Sequence, residues 1–399
     1  PFDSSSLLWL AEISVSEDFY VPTINGVVTS VLNLKRGLEE RGHEVRVLTL
    51  CQNKKEKKEE GVWYLPSVGA GFIYPTVRVR FGFYGKTYRE ILRWGPDIVH
   101  SQCEFSTYGA ARRIAAALRI PLIDTYHTVY EEYAHYLLPF GRKICAYAAK
   151  KFTQKQLKKA DAVIAPSAKI YDLLVKYGIK KDIYVLPSGL DLQRFRGKHV
   201  GEQIAGRINS FANGRKKLLF LGRLAEEKNV EELIEYVGRL RREDIVLLIA
   251  GDGPFRKTLE ECAGGLRDRV CFLGMIPSES VPACLAAADL FVCASTSETQ
   301  GLTYIESLAC GIPLLCREDA CLRGVVEEGV NGWLYTDYPS FKDKLEQFLV
   351  RSDVQGMARQ CRLSVQKYSL DVFAKRAEEM YLQCCLKKRN SKVELCENF

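Results

Sequence analysis

ADLFVCASTSETQGLTYIESLACGIPLLC (288–316) reads as a complete structural unit: an apolar strand, a polar loop, a helix opening near Leu302, a stop at Gly311-Ile312-Pro313 and a second apolar strand. A strand, a helix and another strand in this order predict neighbouring parallel strands. The same alternation runs through the rest of the chain. In the first half, LAEISVS (10–16), VVTSVLNLKRGLEERG (27–42), HEVRVLTL (43–50), PDIVHSQ (96–102), GAARRIAAALR (109–119), IPLIDTYHT (120–128) and DAVIAPS (161–167) give strands and helices in turn. From Arg215 the pattern restarts with KKLLFLGRL, DIVLLIAGDG, RVCFLGM and the opening unit. CQNKKEKKEEG (51–61) reads as a charged, solvated loop.

The chain is therefore expected to be α/β, with two Rossmann-like domains. A first domain spans 1–200 and a second spans 201–367, the linker falling near 190–214. The helical tail 368–399 is expected to cross back onto the first domain. With 399 residues, 47% of them hydrophobic, there is enough apolar side chain for two cores.

Charge is uneven. Residues 1–190 hold 27 Lys+Arg against 19 Asp+Glu, while residues 191–399 hold 30 against 30, so the whole net charge of +8 sits in the first half. A basic half is compatible with a nucleic acid, an anionic membrane or a solvated surface. The 14 cysteines are scattered, with only Cys384 and Cys385 adjacent and no C-x-x-C pair, which predicts reduced cytosolic thiols and no zinc site. No stretch approaches about eighteen apolar residues, and the first residues lack a basic region followed by an apolar core. Neither a spanning helix nor a secretory signal is expected.

In parallel sheets, ligands meet the loops that leave the carboxyl ends of strands. Three such loops carry chemistry. In SETQGLTYIE (297–306), the amides of Gly301, Leu302 and Thr303 open a helix, where free N–H groups and the helix dipole suit a phosphate. Glu298 and Glu306 flank it; as carboxylates they only accept, which suits the hydroxyls of a sugar and a ribose on either side of a diphosphate. FLGRLAEEKN (220–229) supplies Arg223 and Lys228, cations able to neutralise a diphosphate leaving group. FYVPTINGVVTSVLNL (19–34) places Gly26 where a helix opens, permitting close approach of a ligand to backbone. The alternative is structural: a helix-capping Glu298, an exposed Glu306 and solvated cations. No D-x-D occurs, so the usual carboxylate pair holding a metal against a diphosphate is missing.

Together these segments resemble the family 4 retaining glycosyltransferases, and the likeness spans nearly all of the chain. It implies the GT-B fold, two Rossmann-like domains with parallel sheets facing across a cleft. By that likeness Glu298 holds donor-sugar hydroxyls, Glu306 the ribose, Arg223 and Lys228 the diphosphate, and Gly26 lies over the phosphates. Met275 and Ile276 in FLGMIPSESV (272–281) fall where the family binds the nucleobase. A Phe common in the family is replaced by Gln300.

A narrower resemblance, to bacterial diacylglycerol glucosyltransferases, rests on EFS (104–106), TYHTVYEEYAHY (125–136) and SETQGLTYIE occurring together, with Gln300 now a match. It implies that His127 lies beside the transferring sugar. It further implies transfer of glucose from UDP-glucose to 1,2-diacylglycerol with retention of the α configuration, by a peripheral enzyme of glycolipid biosynthesis at the cytoplasmic face of the membrane. No cofactor or metal is expected for donor binding. A related mannosyl- or galactosyltransferase is the enzymatic alternative. A nucleic-acid-binding protein is the non-enzymatic one, and no nucleic-acid-binding motif supports it.

PFGRKICAYAAKKFTQKQLKKA (139–160) carries Arg142, Lys143, Lys150, Lys151, Lys155, Lys158 and Lys159 with no acid. Phe140, Ile144, Ala148 and Phe152 repeat at fours, so a helix here would separate apolar from basic residues and suit an anionic membrane surface. Arg78, Arg80 and the aromatic residues around Phe81 are a second candidate surface.

Overall fold

The computed structural model describes residues 10–18, 20, 25–51, 57–59, 61–69, 78–80, 85–129, 142–197 and 201–397. It forms two compact units, Pro1–Gly189 with Leu370–Phe399, and Leu190–Ser369. Residues 190–200 thus belong with the second unit and not the first, because Leu190, Leu192 and Phe195 are buried in its core, as is Tyr368.

The first unit is built on strands β1 (Glu12–Ser16), β2 (Glu44–Cys51), β3 (Lys57–Glu59), β4 (Val62–Pro66), β7 (Ile98–Ser101), β8 (Leu122–Thr125), β9 (Ala162–Ala165) and β10 (Asp182–Val185). Their order is β10-β9-β8-β7-β1-β2-β4-β3. All pairs are parallel except β3 with β4. A small antiparallel ribbon joins β5 (Val68–Gly69) to β6 (Arg78–Val79). The strand β3 corrects the expectation of a loop throughout 51–61: Lys57–Glu59 pairs on the open edge of β4, where a charged strand stays solvated. The strand LAEISVS is central, with Ile13 and Val15 fully buried between β2 and β7.

One sheet face is covered by the helix Gly26–Glu40 and by the closing helix Leu370–Glu397. Val31, Leu34 and Leu38 of the former and Phe373, Ala374, Ala377, Met380 and Tyr381 of the latter share a core with Ile13, Val47 and Ile98. The opposite face packs Ile91, Tyr108, Ala111 and Ile114 against Leu48, Val99 and Leu122. The two helices of the first face meet at small residues. A β-carbon on Gly37 would lie 2.8 Å from that of Ala374, and one on Gly189 would lie 2.4 Å from that of Phe373.

The second unit has six parallel strands, β11 (Lys216–Leu221), β12 (Ile245–Ala250), β13 (Val270–Gly274), β14 (Leu290–Cys293), β15 (Leu314–Arg317) and β16 (Gly332–Tyr335), in the order β13-β12-β11-β14-β15-β16. Buried on both faces, β12 is apolar without alternation, IVLLIA.

The glycine seam yields a paired test. Gly37→Val overpacks the contact with Ala374 and is expected to cost about 1–3 kcal/mol. Gly206→Ala, in the helix Glu202–Ala212 with nothing within 4 Å of the new methyl, is expected to be neutral or to stabilise by up to about 1 kcal/mol. Urea unfolding midpoints of the two variants check both signs.

Candidate functional site

In the second unit, the loop after β11 is held backbone to backbone against the loop after β12. Gly222 N donates to Ala250 O (3.0 Å), Leu224 N to Asp252 O (3.0 Å) and Phe255 N to Leu224 O (3.0 Å). Gly251 has φ +133°, and a β-carbon there would sit 1.8 Å from Gly222 O; one at Gly253 would sit 2.2 Å from Leu224 O. Only glycine allows this approach. Arg223, between the two anchored residues, is left exposed at the strand end. A 3₁₀ turn, Glu226–Lys228, then leads into the helix Val230–Leu240.

That turn is stitched to the loop after β14. Ser297 Oγ donates to Glu227 O (3.2 Å), and Lys228 Nζ donates to Glu298 Oε1 (2.5 Å). The structure therefore joins two residues that the sequence reading kept apart. Lys228 is not a lone cation, and Glu298 is neutralised as well as available to accept.

The helix Leu302–Cys310 starts at Gly301 (φ +72°), has no side-chain cap and ends at Gly311 (φ +87°). A β-carbon on Gly301 would lie 2.3 Å from the Tyr304 ring. That ring is buried, packs edge-on against Phe291 and donates its hydroxyl to Cys293 Sγ (3.3 Å). Leu302 and Thr303 are half-buried in the first turn. Glu306, one turn further on, is half-buried rather than an exposed helix residue. Burial pushes its carboxyl up to about 7, with the Arg194 guanidinium opposing the rise. It is thus a carboxyl poised between its two forms, where the sequence reading took an ordinary carboxylate.

Met275 projects from the loop after β13, 65% exposed, whereas the Ile276 side chain is buried in the core. Only the backbone of Ile276 can face a ligand. Arg194 ties this loop down, donating to Ser278 Oγ (2.9 Å) and to the Ser278 carbonyl. Neither Arg194 nor the pair Gly251 and Gly253 was singled out from sequence. The glycine signal stood in DIVLLIAGDG, where a glycine pair directly after a buried strand marks close backbone approach.

In the first unit, Gly26 is the exposed first residue of its helix, and the Asn25 side chain caps that helix by accepting from Val28 N (2.8 Å). His127 follows β8, half-buried, and donates from Nε2 to Gln102 Oε1 (2.6 Å). Burial lowers its imidazole to about 4, so the ring is neutral at physiological pH.

The basic segment forms the helix Arg142–Leu157, followed directly by Lys158 and Lys159. Lys151, Lys155, Lys158 and Lys159 are exposed and Lys150 half-buried. The side chains of Arg142 and Lys143, together with residues 130–141 (Phe140 among them) and Phe81, lie outside the described residues. Thr153 and Leu157 turn inward, Tyr126 meeting Thr153 at 3.2 Å. Ile144 and Tyr147 stand 73% and 63% exposed, while Phe152 stacks on the exposed Phe105 at 5.8 Å. Of the expected apolar stripe, Ile144 and Ala148 lie in solvent while Phe152 is packed. Arg78 and Arg80 hold the carbonyls of Ser67 (2.8 Å) and Pro66 (2.9 Å).

Among the described residues no helix is long and apolar enough to cross a membrane, and no group of three or more His, Cys, Asp or Glu is placed to hold a metal ion.

Residues 24–194 match the model of Glycosyltransferase Family 4, and residues 203–362 that of Glycosyl transferases group 1. The alpha-monoglucosyldiacylglycerol synthase of Streptococcus pneumoniae is 34% identical over 384 residues, covering 94% of this chain and 86% of its own. The chain belongs to glycosyltransferase family 4. The alpha-monoglucosyldiacylglycerol synthase of Acholeplasma laidlawii is 30% identical over 96% of this chain and 99% of its own. Anabaena HepE, solved in complex with UDP-glucose, superposes with a TM-score of 0.69 at 16% identity over 94% of this chain and 100% of its own. This member of the family is a hexosyltransferase of the GT-B fold.

The Glu306 environment generates a prediction with a definite sign. A carboxyl raised in the folded state leaves that state holding more protons than the unfolded one between about pH 4.5 and 7. Stability should fall as pH rises through this window, and Glu306→Gln should flatten the slope. Arg194→Gln removes the charge favouring the carboxylate, so the Glu306 carboxyl resonance should titrate at higher pH than in the wild type.

Proposed function

We propose that the chain transfers glucose from UDP-glucose to the free hydroxyl of 1,2-diacylglycerol, retaining the α configuration and forming α-monoglucosyldiacylglycerol at an anionic membrane surface. The observation that carries this reading is the 34% identity to the pneumococcal synthase over 94% of this chain. The geometry supports it. A donor diphosphate at the Gly301 helix terminus would meet free amides and Arg223, with the Lys228–Glu298 pair beside it. Positive charge at that point stabilises the departing UDP, so no metal is required. In the retaining step the hydroxyl oxygen bonds to the sugar carbon as the carbon–oxygen bond to the β-phosphate breaks. The hydroxyl proton leaves with the departing phosphate oxygen. Glu298 accepts from sugar hydroxyls, Glu306 from the ribose, and neutral His127 lies beside the sugar.

The helix Arg142–Leu157 supplies the route to the lipid at the cytoplasmic face. Diacylglycerol stays in the bilayer, and this helix offers exposed lysines next to exposed Ile144 and Tyr147. Each basic residue near an anionic surface contributes roughly 1 kcal/mol.

Activity with vesicles of phosphatidylglycerol containing diacylglycerol decides the substrate reading. Mass spectrometry should find the monoglucosyl product with UDP-glucose, and persistence of the activity in EDTA is expected. Product from GDP-mannose alone would move the donor assignment, and activity restored only by Mg²⁺ or Mn²⁺ would end the metal-free reading. Arg223→Ala and Lys228→Ala should each remove most turnover. Glu306→Gln should weaken UDP-glucose binding about tenfold or more in calorimetry. Glu298→Ala should act more on turnover than on nucleotide affinity.

Membrane attachment is tested separately by vesicle sedimentation. Binding should grow with phosphatidylglycerol content and fall at high salt. Replacing Lys150, Lys151, Lys155 and Lys158 by Gln should weaken it while UDP binding is kept. Wild-type sedimentation by this variant would transfer the contact to another surface.

A further inference from the structure

His127 is the outer end of a buried chain of polar groups that reaches the closing helix. Its Nε2 is 2.6 Å from Gln102 Oε1. The Gln102 amide nitrogen lies 3.3 Å from His100 Nε2, which also meets Thr125 Oγ1 at 2.6 Å. His100 Nδ1 meets the Tyr381 hydroxyl at 2.6 Å. His100, Gln102, Thr125 and Tyr381 are all buried.

The fold explains how residues so distant in sequence meet. His100 lies two positions beyond Ile98 on β7 and shares its sheet face, the face covered by the closing helix. Val99, between them, points into the opposite core. Tyr381 comes down from the closing helix, its ring edge-on to the His100 imidazole with centroids 5.7 Å apart.

The donors and acceptors then order themselves. A carbonyl oxygen only accepts, so the proton of His127 sits on Nε2 and its Nδ1 carries the lone pair. The Gln102 amide nitrogen, which only donates, rests against the His100 ring, 3.3 Å from Nε2 and 3.5 Å from Nδ1, and so turns the Gln102 carbonyl oxygen toward His127. The Thr125 and Tyr381 hydroxyls, each able to donate or accept, hold the two His100 ring nitrogens at 2.6 Å. Burial keeps both rings neutral, His100 lowered to about 3 and His127 to about 4, and for His127 the Gln102 carbonyl oxygen selects the Nε2–H tautomer.

We infer that Gln102, His100 and Tyr381 are positioning residues that lock His127 in its Nε2–H tautomer, making its Nδ1 a hydrogen-bond acceptor for a hydroxyl of the reacting groups. The inference rests on the reading of His127 as a residue beside the transferring sugar. It gives the closing helix a part in the reaction beyond packing, since its Tyr381 terminates the chain that orients the ring. A hydroxyl donating to Nδ1 is held by its proton, so its oxygen orientation is set before bond formation.

The test uses the full chain with UDP-glucose and diacylglycerol in phosphatidylglycerol vesicles, comparing His127→Ala, Gln102→Leu, Gln102→Glu and Tyr381→Phe. Thermal melts establish that each is folded; Tyr381→Phe keeps the ring contact and Gln102→Glu keeps an acceptor for Nε2–H. Gln102→Leu should lower kcat about tenfold or more, with KM for UDP-glucose and affinity for UDP within about twofold of wild type. Tyr381→Phe should act in the same direction to a smaller extent. Gln102→Glu sets a carboxylate beside the imidazole and favours its protonated form. That variant should therefore recover activity toward alkaline pH and lose it as pH falls, in an ionisation absent from the wild-type profile. Unchanged kcat in Gln102→Leu and Tyr381→Phe alongside an inactive His127→Ala would overturn the positioning chain and leave the reading of His127 standing. Full activity of His127→Ala would overturn both.

Discussion

The approach of the Gly251 backbone to the Gly222 carbonyl sets the arrangement of the loops at the carboxyl edge of the second unit's sheet. Because a β-carbon at Gly251 would lie 1.8 Å from the Gly222 carbonyl, the loops after β11 and β12 can run as a continuation of their strands, amide to carbonyl. Arg223 is held at the mouth of the sheet through the backbone of its two neighbours. The turn Glu226–Lys228 starts from the same anchored segment and carries Lys228 to Glu298. A bulkier residue at Gly251 would displace a cation-bearing loop and the acid-bearing loop stitched to it.

Burial sets the charge states of the two titratable groups assigned to opposite ends of the reaction. Glu306 is raised to about 7 and His127 lowered to about 4, in both cases because a half-buried group loses hydration of its charged form. The consequences differ. Under the proposed reading a ribose hydroxyl donates to Glu306, and such binding would draw the group toward the carboxylate. His127 is already in the form that can accept, and nothing has to be removed before it does so.

The alternation of strand and helix was legible in the sequence because parallel strands need helical crossovers, and the limits of the helix Leu302–Cys310 were legible because Gly301 and Gly311 mark them. Arg223, Lys228 and Glu298 were also readable as residues of loops that leave strand ends, and Glu306 as a residue of the helix that follows one of them. Their pairing was not. Lys228 and Glu298 are 70 residues apart, and hydrogen bonds from Ser295 and Ser297 to the Glu227 carbonyl help to bring their loops together. Arg194 was hidden for a similar reason, since its role lies in a loop 84 residues away. For Ile276 the sequence position was informative about backbone and silent about its side chain, which the core takes. The basic helix shows the opposite limit: its composition was plain, but the solvent exposure of Ile144 and Tyr147 depends on which face Thr153 and Leu157 turn inward.

The closing helix places a constraint on the order in which the chain can become stable. Phe373, Ala374, Ala377, Met380, Tyr381 and Cys384 belong to the core of a unit whose other members lie before Gly189. A chain emerging from the ribosome has therefore completed the second unit before the first can close its sheet face. Until then Ile13, Val47 and Ile98 lack the helix that covers them, and these are long-range contacts whose loop entropy must be met before they stabilise anything. The two crossings are kept together inside the second unit, where Leu190 N donates to Tyr368 O at 2.8 Å and Leu190 bridges Ser369 in parallel. Folding of the second unit thus brings residues 189 and 370 close before the helix docks, shortening the effective loop from 180 residues to a few. The segment that closes the first core also delivers Tyr381 to His100, so the polar chain behind His127 is complete only once that helix has docked on its own unit.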